Sequence, residues 1–192
     1  MSREAFAENE STRLDRFIRW WRTQKALPYL RGKKVVCDLG CGRNGTLLKT
    51  LEKDLERGWG LDYGVDESAG TNKITLKTVD VSGPLPLPDN SVDAASSLAV
   101  LEHVEDYETS IKEAWRILKP GGVFVATTPR PQGRRLLEWL GRNRLIDGRE
   151  IDEHKRYFDK GMLVGAFQKA GFKNIKYQPF EFGFNQVISG TK

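Results

Sequence analysis

Apolar and polar positions along this chain recur in two rhythms. Leu14, Phe17, Ile18 and Trp21 return at helical spacing, with Arg13, Arg16, Arg19 and Arg22 between them, which predicts an amphipathic helix ending near Pro28. Beyond it, short apolar runs alternate with helix-like stretches. "KVVCDLG" reads as a buried strand, "GTLLKTLEKDLE" (residues 45–56) as a helix and "RGWGLDYG" as the next strand. "ITLKTVDV" has period-two apolar spacing, and "SVDAASSLAVLEHV" reads as a strand running into a helix start. "YETSIKEAWRILKPGG" places Ile111, Ala114, Trp115 and Leu118 on one side of a helix stopped by Pro120–Gly121–Gly122, and "VFVATTP" follows as a fifth strand. After a charged, irregular stretch over 130–158, "DKGMLVGAFQKAGF" predicts a last long helix, and "KNIKYQPFEFG" and "FNQVISG" two closing strands. Such alternation predicts a parallel sheet with helices on both faces, and the two consecutive final strands predict an antiparallel hairpin at its edge.

With 192 residues, 39% hydrophobic and 30% charged, the chain is expected to form one soluble domain with a substantial core. No apolar run approaches a membrane span, and the charged N-terminus lacks a secretory apolar centre, so a cytoplasmic protein is expected. Two cysteines, Cys37 and Cys41, fit neither a disulfide framework nor a zinc pattern and read as small filler. A net charge of +5 permits an anionic partner without requiring one. For the first helix, packing on the domain with a solvated basic face is one reading; a membrane-surface helix, hence peripheral membrane contact, is the other.

The candidate chemistry lies in "KKVVCDLGCGRNGTLL", where an acid, Asp38, ends a strand and is followed by Gly40, Gly42 and Gly45. Asp62 ends the next strand and Asp80 the third. In open α/β sheets ligands bind outside the carboxyl ends of strands. Bare backbone at Gly40 and Gly42 lets a ligand approach closely. Asp62 stands where a ribose-binding acid falls in a nucleotide-binding unit, and Asp80 can accept from an adenine amine, with Val81 beside the ring. The spacing also fits G-x-G-x-x-G, which leaves a nicotinamide dinucleotide and an oxidoreductase as an alternative. Asp38 argues against it, because a carboxylate there would repel a diphosphate and attract a cationic amine.

"VVCDLGCGRNG", "GLD", "VDVSGPLPLPDNSVDAASSLAVLEHVED" and "EAWRILKPGG", in this order over residues 33 to 128, resemble the successive motifs of class I S-adenosylmethionine-dependent methyltransferases. Asn44, standing before Gly45, departs from the usual glycine spacing. The resemblance implies a Rossmann-like, doubly wound α/β fold with a seven-stranded, mostly parallel sheet and an antiparallel edge strand. It implies S-adenosyl-L-methionine as cofactor, with Gly40 and Gly42 along the methionine part, Asp62 on the ribose, and Asp80 with Val81 framing the adenine. Asp38 would orient the loop and meet the amino group, Ser97 and Leu98 would present backbone to the methionine tail, and Tyr63 would cover an adenine face. Arg43 either reaches the methionine carboxylate or faces solvent. One methyltransferase domain over 1–192 is expected, with residues 130–158 as an acceptor-side lid. A non-catalytic nucleoside-binding module with the same fold is the other alternative.

Methyl transfer needs a base only where the acceptor must lose a proton. Of two histidines, His103 lies just past the fourth strand, beside Glu102, and His154 opens an H-x-R-x-F segment with Arg156 and Phe158 that resembles an acceptor-pocket segment of small-molecule methyltransferases. Arg130, Arg156 and Tyr157 are the candidate substrate contacts. Neither an Asn-Pro-Pro-Tyr tetrapeptide nor a Pro-Cys pair follows the fourth strand, and aromatic interleaving of an RNA-reading surface is absent, so nucleic acid is not the expected partner. The arginines and apolar residues of 130–158 suit a small-molecule acceptor with apolar and anionic parts, such as a lipid-linked or glycosidic metabolite methylated at oxygen. No acidic and histidine cluster has metal-ligand spacing, so no metal is expected.

Overall fold

The structure is a computed structural model that describes residues 12–133, 142 and 155–192. Its elements are α1 (Arg13–Leu30), β1 (Val35–Leu39), α2 (Thr46–Leu51), β2 (Arg57–Asp62), β3 (Ile74–Thr78), β4 (Val92–Leu98), α3 (Tyr107–Ile117), β5 (Leu118–Pro129), α4 (Lys160–Ala170), β6 (Lys173–Phe180) and β7 (Asn185–Thr191). The seven strands form one sheet in the order β3-β2-β1-β4-β5-β7-β6. Strands β1 to β5 are parallel, and β7 runs antiparallel between β5 and β6. The expected antiparallel hairpin is therefore present, with its second strand inserted inward.

Strand residues alternate between two cores, which is why these strands read as continuous apolar runs. On one face Val36, Ala94, Val123 and Val125 pack with Ala26, Leu27 and Leu30 of α1 and Leu47, Leu48 and Leu51 of α2. On the other, Cys37, Leu39, Ala95, Phe124 and Ala126 meet Ile111, Ala114 and Ile117 of α3 and Leu163, Ala166 and Phe167 of α4. Caps set the helix starts: Thr12 and Asp15 form a reciprocal capping box on α1, Asp106 accepts from the Thr109 amide on α3, and Asp159 from the Met162 amide on α4. Gly171, at φ +101°, ends α4 in the left-handed conformation.

Four boundaries differ from expectation. Helix α1 runs two residues past Pro28, whose ring removes an N–H near the helix end and does not stop the chain. Helix α2 ends at Leu51, and the chain turns so that the amides of Glu56 and Arg57 bond the Lys34 carbonyl and start β2 in register with β1. Helix α3 ends at Ile117 because Leu118 already pairs with Val92, leaving Pro120, Gly121 and Gly122 inside β5. No helix starts within 99–104: the Ala99 amide bonds the Thr127 carbonyl, Ala99 has φ +58°, and the chain turns before α3 begins at Tyr107.

The chain winds outward from β1 to β3, crosses back, and builds β4 and β5 on the other side. Strand order thus reverses between β1 and β4, which opens a crevice at their carboxyl ends. Helix α1 ends just before the amino end of β1, so its first turns lie toward this carboxyl rim.

Candidate active site

The glycine loop leaves β1 and is pinned to β2 by backbone alone. The Gly40 and Cys41 amides bond the Leu61 carbonyl at 2.7 and 3.3 Å. Gly40 (φ +76°) needs its missing side chain twice over: an added Cβ would sit 2.1 Å from Val100 Cγ2. Gly42 (φ +68°) differs, since an added Cβ would meet nothing within 4 Å, and its Cα faces open space above the strand ends. Asp62 organises this loop: one carboxylate oxygen accepts from the Gly42 amide and the other from the Gly64 amide, each at 3.0 Å. Each oxygen keeps a lone pair for a further donor.

Asp38 is buried, and its Oδ1 accepts from the Ser96 hydroxyl at 2.7 Å across the β1–β4 pairing. Burial pushes its carboxyl up to about 7, against the Ser96 hydrogen bond, and the negative charge of Asp62 adds to the rise. Asp80 lies two residues beyond β3, where its Oδ1 accepts from the Ser82 amide and hydroxyl. Val81 is buried beside it, and its carbonyl accepts from the Ser110 hydroxyl of α3 at 2.7 Å. Tyr63 is exposed next to Asp62, and Arg43 is exposed on the loop. Ser97 is buried and Leu98 half-buried at the end of β4. The residues assigned to the cofactor thus line one rim, from β3 across β2 and β1 to β4.

Acceptor-side residues divide into two groups. His103 is half-buried in the turn after β4, its amide on the Val100 carbonyl, with Glu102 fully buried beside it. Segment 155–158 docks on this turn. The Lys155 amide bonds the Glu102 carbonyl and its Nζ reaches Glu105 at 2.9 Å, while Arg156 bonds the Glu105 carbonyl at 2.7 Å and lies over the Tyr107 ring. Tyr157 is half-buried between Arg156 and the buried Phe158, whose ring meets Tyr107 edge-on. Arg130 is apart from this group, at the end of β5, its guanidinium on the Gly183 carbonyl at 3.0 Å. His154 and most of the expected lid lie outside the described residues.

Several supports have no signal in sequence spacing. Ser96 stands 58 positions from Asp38, Glu105 holds both Lys155 and Arg156, and Gln186 of β7 donates to Thr128 and to the Phe158 carbonyl. Strand register and loop docking create these partners.

A doubly wound sheet with a glycine loop and carboxylates at its order reversal defines an α/β protein of the kind that binds ligands at the carboxyl ends of its strands. A family model described as a methyltransferase domain matches residues 11–177, and the chain belongs to that family, the class I S-adenosylmethionine-dependent methyltransferases. S-adenosylmethionine is the family's cofactor, which sets the nicotinamide alternative aside. The chain is 32% identical over 143 residues to a probable S-adenosylmethionine-dependent methyltransferase of Mycolicibacterium smegmatis, covering 72% of this chain and 51% of that protein. It is 28% identical over 207 aligned residues to a demethylmenaquinone methyltransferase of Anoxybacillus flavithermus, covering 92% and 86% respectively. In fold it is similar to the putative methyltransferase solved in complex with the Haloferax volcanii Trm112 activator, with a TM-score of 0.72 at 22% identity over 91% of this chain and 90% of that one.

Proposed function

We propose that this chain moves the methyl group of S-adenosylmethionine to the oxygen of a small, hydroxylated, amphiphilic acceptor. The observation that carries the reading is the carboxylate rim: Asp62 braces a bare glycine loop while keeping acceptor capacity on both oxygens, with Asp38 buried one strand away.

These residues fit the cofactor. The open space at Gly42 is a cradle that any side chain would fill. In this reading Asp62 takes the ribose hydroxyls, Asp80 and Val81 the adenine, Asp38 the ammonium group, and the backbone at Ser97 and Leu98 the methionine tail. When bound, S-adenosylmethionine supplies a methyl group already activated on a sulfonium, so the protein's work is alignment and proton removal. His103 stands on the turn after β4, beside that rim, and takes the acceptor's hydroxyl proton. Arg156 and Tyr157, docked on the same turn, hold the acceptor's polar end, and Arg130 marks the far side of the opening.

Methylation at carbon is the second reading, favoured by the relatives named as ubiquinone/menaquinone biosynthesis C-methyltransferases. An ionised hydroxylated ring is nucleophilic at oxygen and at its neighbouring carbon, so the same base serves either outcome.

Calorimetry with S-adenosylhomocysteine and NAD, followed by isotope-labelled methyl transfer to a panel of hydroxylated amphiphiles, tests the reading. S-adenosylhomocysteine should bind and NAD should not. Asp62→Ala should weaken binding by about 1–3 kcal/mol, the scale of a lost charged hydrogen-bond partner. His103→Gln should lower kcat with KM little changed. NAD binding, or an unchanged dissociation constant in Asp62→Ala, would overturn the cofactor assignment; label on carbon would select the second reading.

A further inference from the structure

Among the described residues five large apolar side chains stay exposed, and three of them, Phe17, Trp20 and Phe182, belong to one surface patch. Phe17 is 49% exposed, Trp20 56% and Phe182 92%. The rings are contiguous: Trp20 stacks on Phe17 at 5.8 Å, Phe17 meets Trp21 edge-on at 5.5 Å, and Trp21 meets Phe182 at 6.4 Å. A ridge of four rings therefore joins α1 to the turn between β6 and β7. An exposed aromatic ridge of this kind marks an interaction site and not a folding requirement.

Two further observations identify what it meets. Positions 13, 16, 17 and 20 share one helix face, and all four are exposed, so Arg13 and Arg16 stand beside Phe17 and Trp20, with Arg19 exposed next to them. Asp15, the acid of these first turns, is engaged by the Thr12 cap. Cations around aromatic rings suit an anionic headgroup layer, where rings sit at the apolar boundary and guanidinium groups pair with phosphates. Second, the chain holds Phe182 outward against its backbone preference: Glu181 and Phe182 have φ of +52° and +55°, followed by Gly183 at +86°. Such conformations persist only where the surrounding structure imposes them, and they cluster at functional sites.

The ridge is at the catalytic rim. The β6–β7 turn precedes Asn185, which pairs with Pro129 at the carboxyl end of β5, and Arg130 bonds the Gly183 and Phe184 carbonyls. We infer that Phe17, Trp20, Trp21 and Phe182, with Arg13, Arg16 and Arg19, seat this protein on an anionic phospholipid bilayer, rim toward the headgroups. The occupant is a lipid surface and the contact is interfacial, since among the described residues no helix is long and apolar enough to cross a membrane. The inference stands apart from the acceptor's identity and from catalysis.

Sedimentation of the full chain with phosphatidylcholine vesicles, and with vesicles also containing phosphatidylglycerol, tests it together with tryptophan emission and quenching by brominated lipid. Binding to anionic vesicles, weakened by salt, with a blue shift and quenching, is expected. Phe17→Ser/Trp20→Ser should reduce partitioning at least tenfold, and Arg13→Gln/Arg16→Gln by roughly fivefold per arginine. Phe182→Gly relieves the backbone, so it should melt no lower than wild type and still lose binding, which separates docking from folding. Lys112→Gln, on α3 across the sheet, should bind as wild type. Equal binding to neutral vesicles, unaltered binding by the ridge variants, preference for an RNA oligomer, or a dimer that the ridge variants dissociate would each overturn it.

Discussion

Asp38 is the side chain on which the site's pH behaviour turns. Its carboxyl titrates near 3.9 in an unfolded chain, and burial holds it at about 7 in the fold. Between those values the native state keeps a proton that the unfolded state has lost. Stability therefore falls as pH rises from about 4 to about 7 and levels off above, at roughly 1.4 kcal/mol per unit as an upper bound. Asp38→Asn should flatten this part of the stability profile, measured by urea unfolding across the range. In the wild type, the proposed contact between the ammonium group of S-adenosylhomocysteine and the ionised carboxylate predicts that affinity climbs over the upper part of the same window; in the variant the climb should vanish. The position of the acid was readable, because a charged residue interrupts an apolar run just ahead of the glycines. Ser96, which donates to it, was not, since only the pairing of β1 with β4 brings the two together.

At the scale of elements, the long connection from β3 to β4 has no regular structure over residues 82–91 and depends on one arginine of α3. Arg116 bonds the Leu85 and Leu87 carbonyls, Asp89 and Glu113, and Glu113 in turn accepts from the Leu85 amide. A planar fork of donors satisfies carbonyls that no strand or helix would satisfy. Arg116→Met should raise amide hydrogen exchange across this connection and leave the β1–β2 amides protected; equal exchange in both proteins would assign the ordering to the buried Leu85 and Leu87 instead. Strands and long helices were legible here because period-two and period-3.6 patterns are local. The turn after β4 was not: "SLAVLEHV" has helical character, but the bond from the Ala99 amide to the Thr127 carbonyl and the burial of Leu101, Glu102 and Val104 hold it in turns.

Across the whole molecule, alternation of strands and helices sufficed to anticipate a doubly wound sheet, while the insertion of β7 between β5 and β6 follows from long-range pairing. The same limit hid the aromatic ridge, whose fourth ring arrives from the opposite end of the chain. Long-range pairing also leaves the glycine loop already shaped, its amides held by Asp62 and the Leu61 carbonyl. In the proposed placement of the cofactor, a nucleoside reaching this rim meets a finished receptacle, so little ordering remains to slow its capture. Stopped-flow traces for a set of sulfonium and thioether analogues should then share nearly one association constant and separate by residence time. Widely scattered association constants would mean that the receptacle assembles only around its guest.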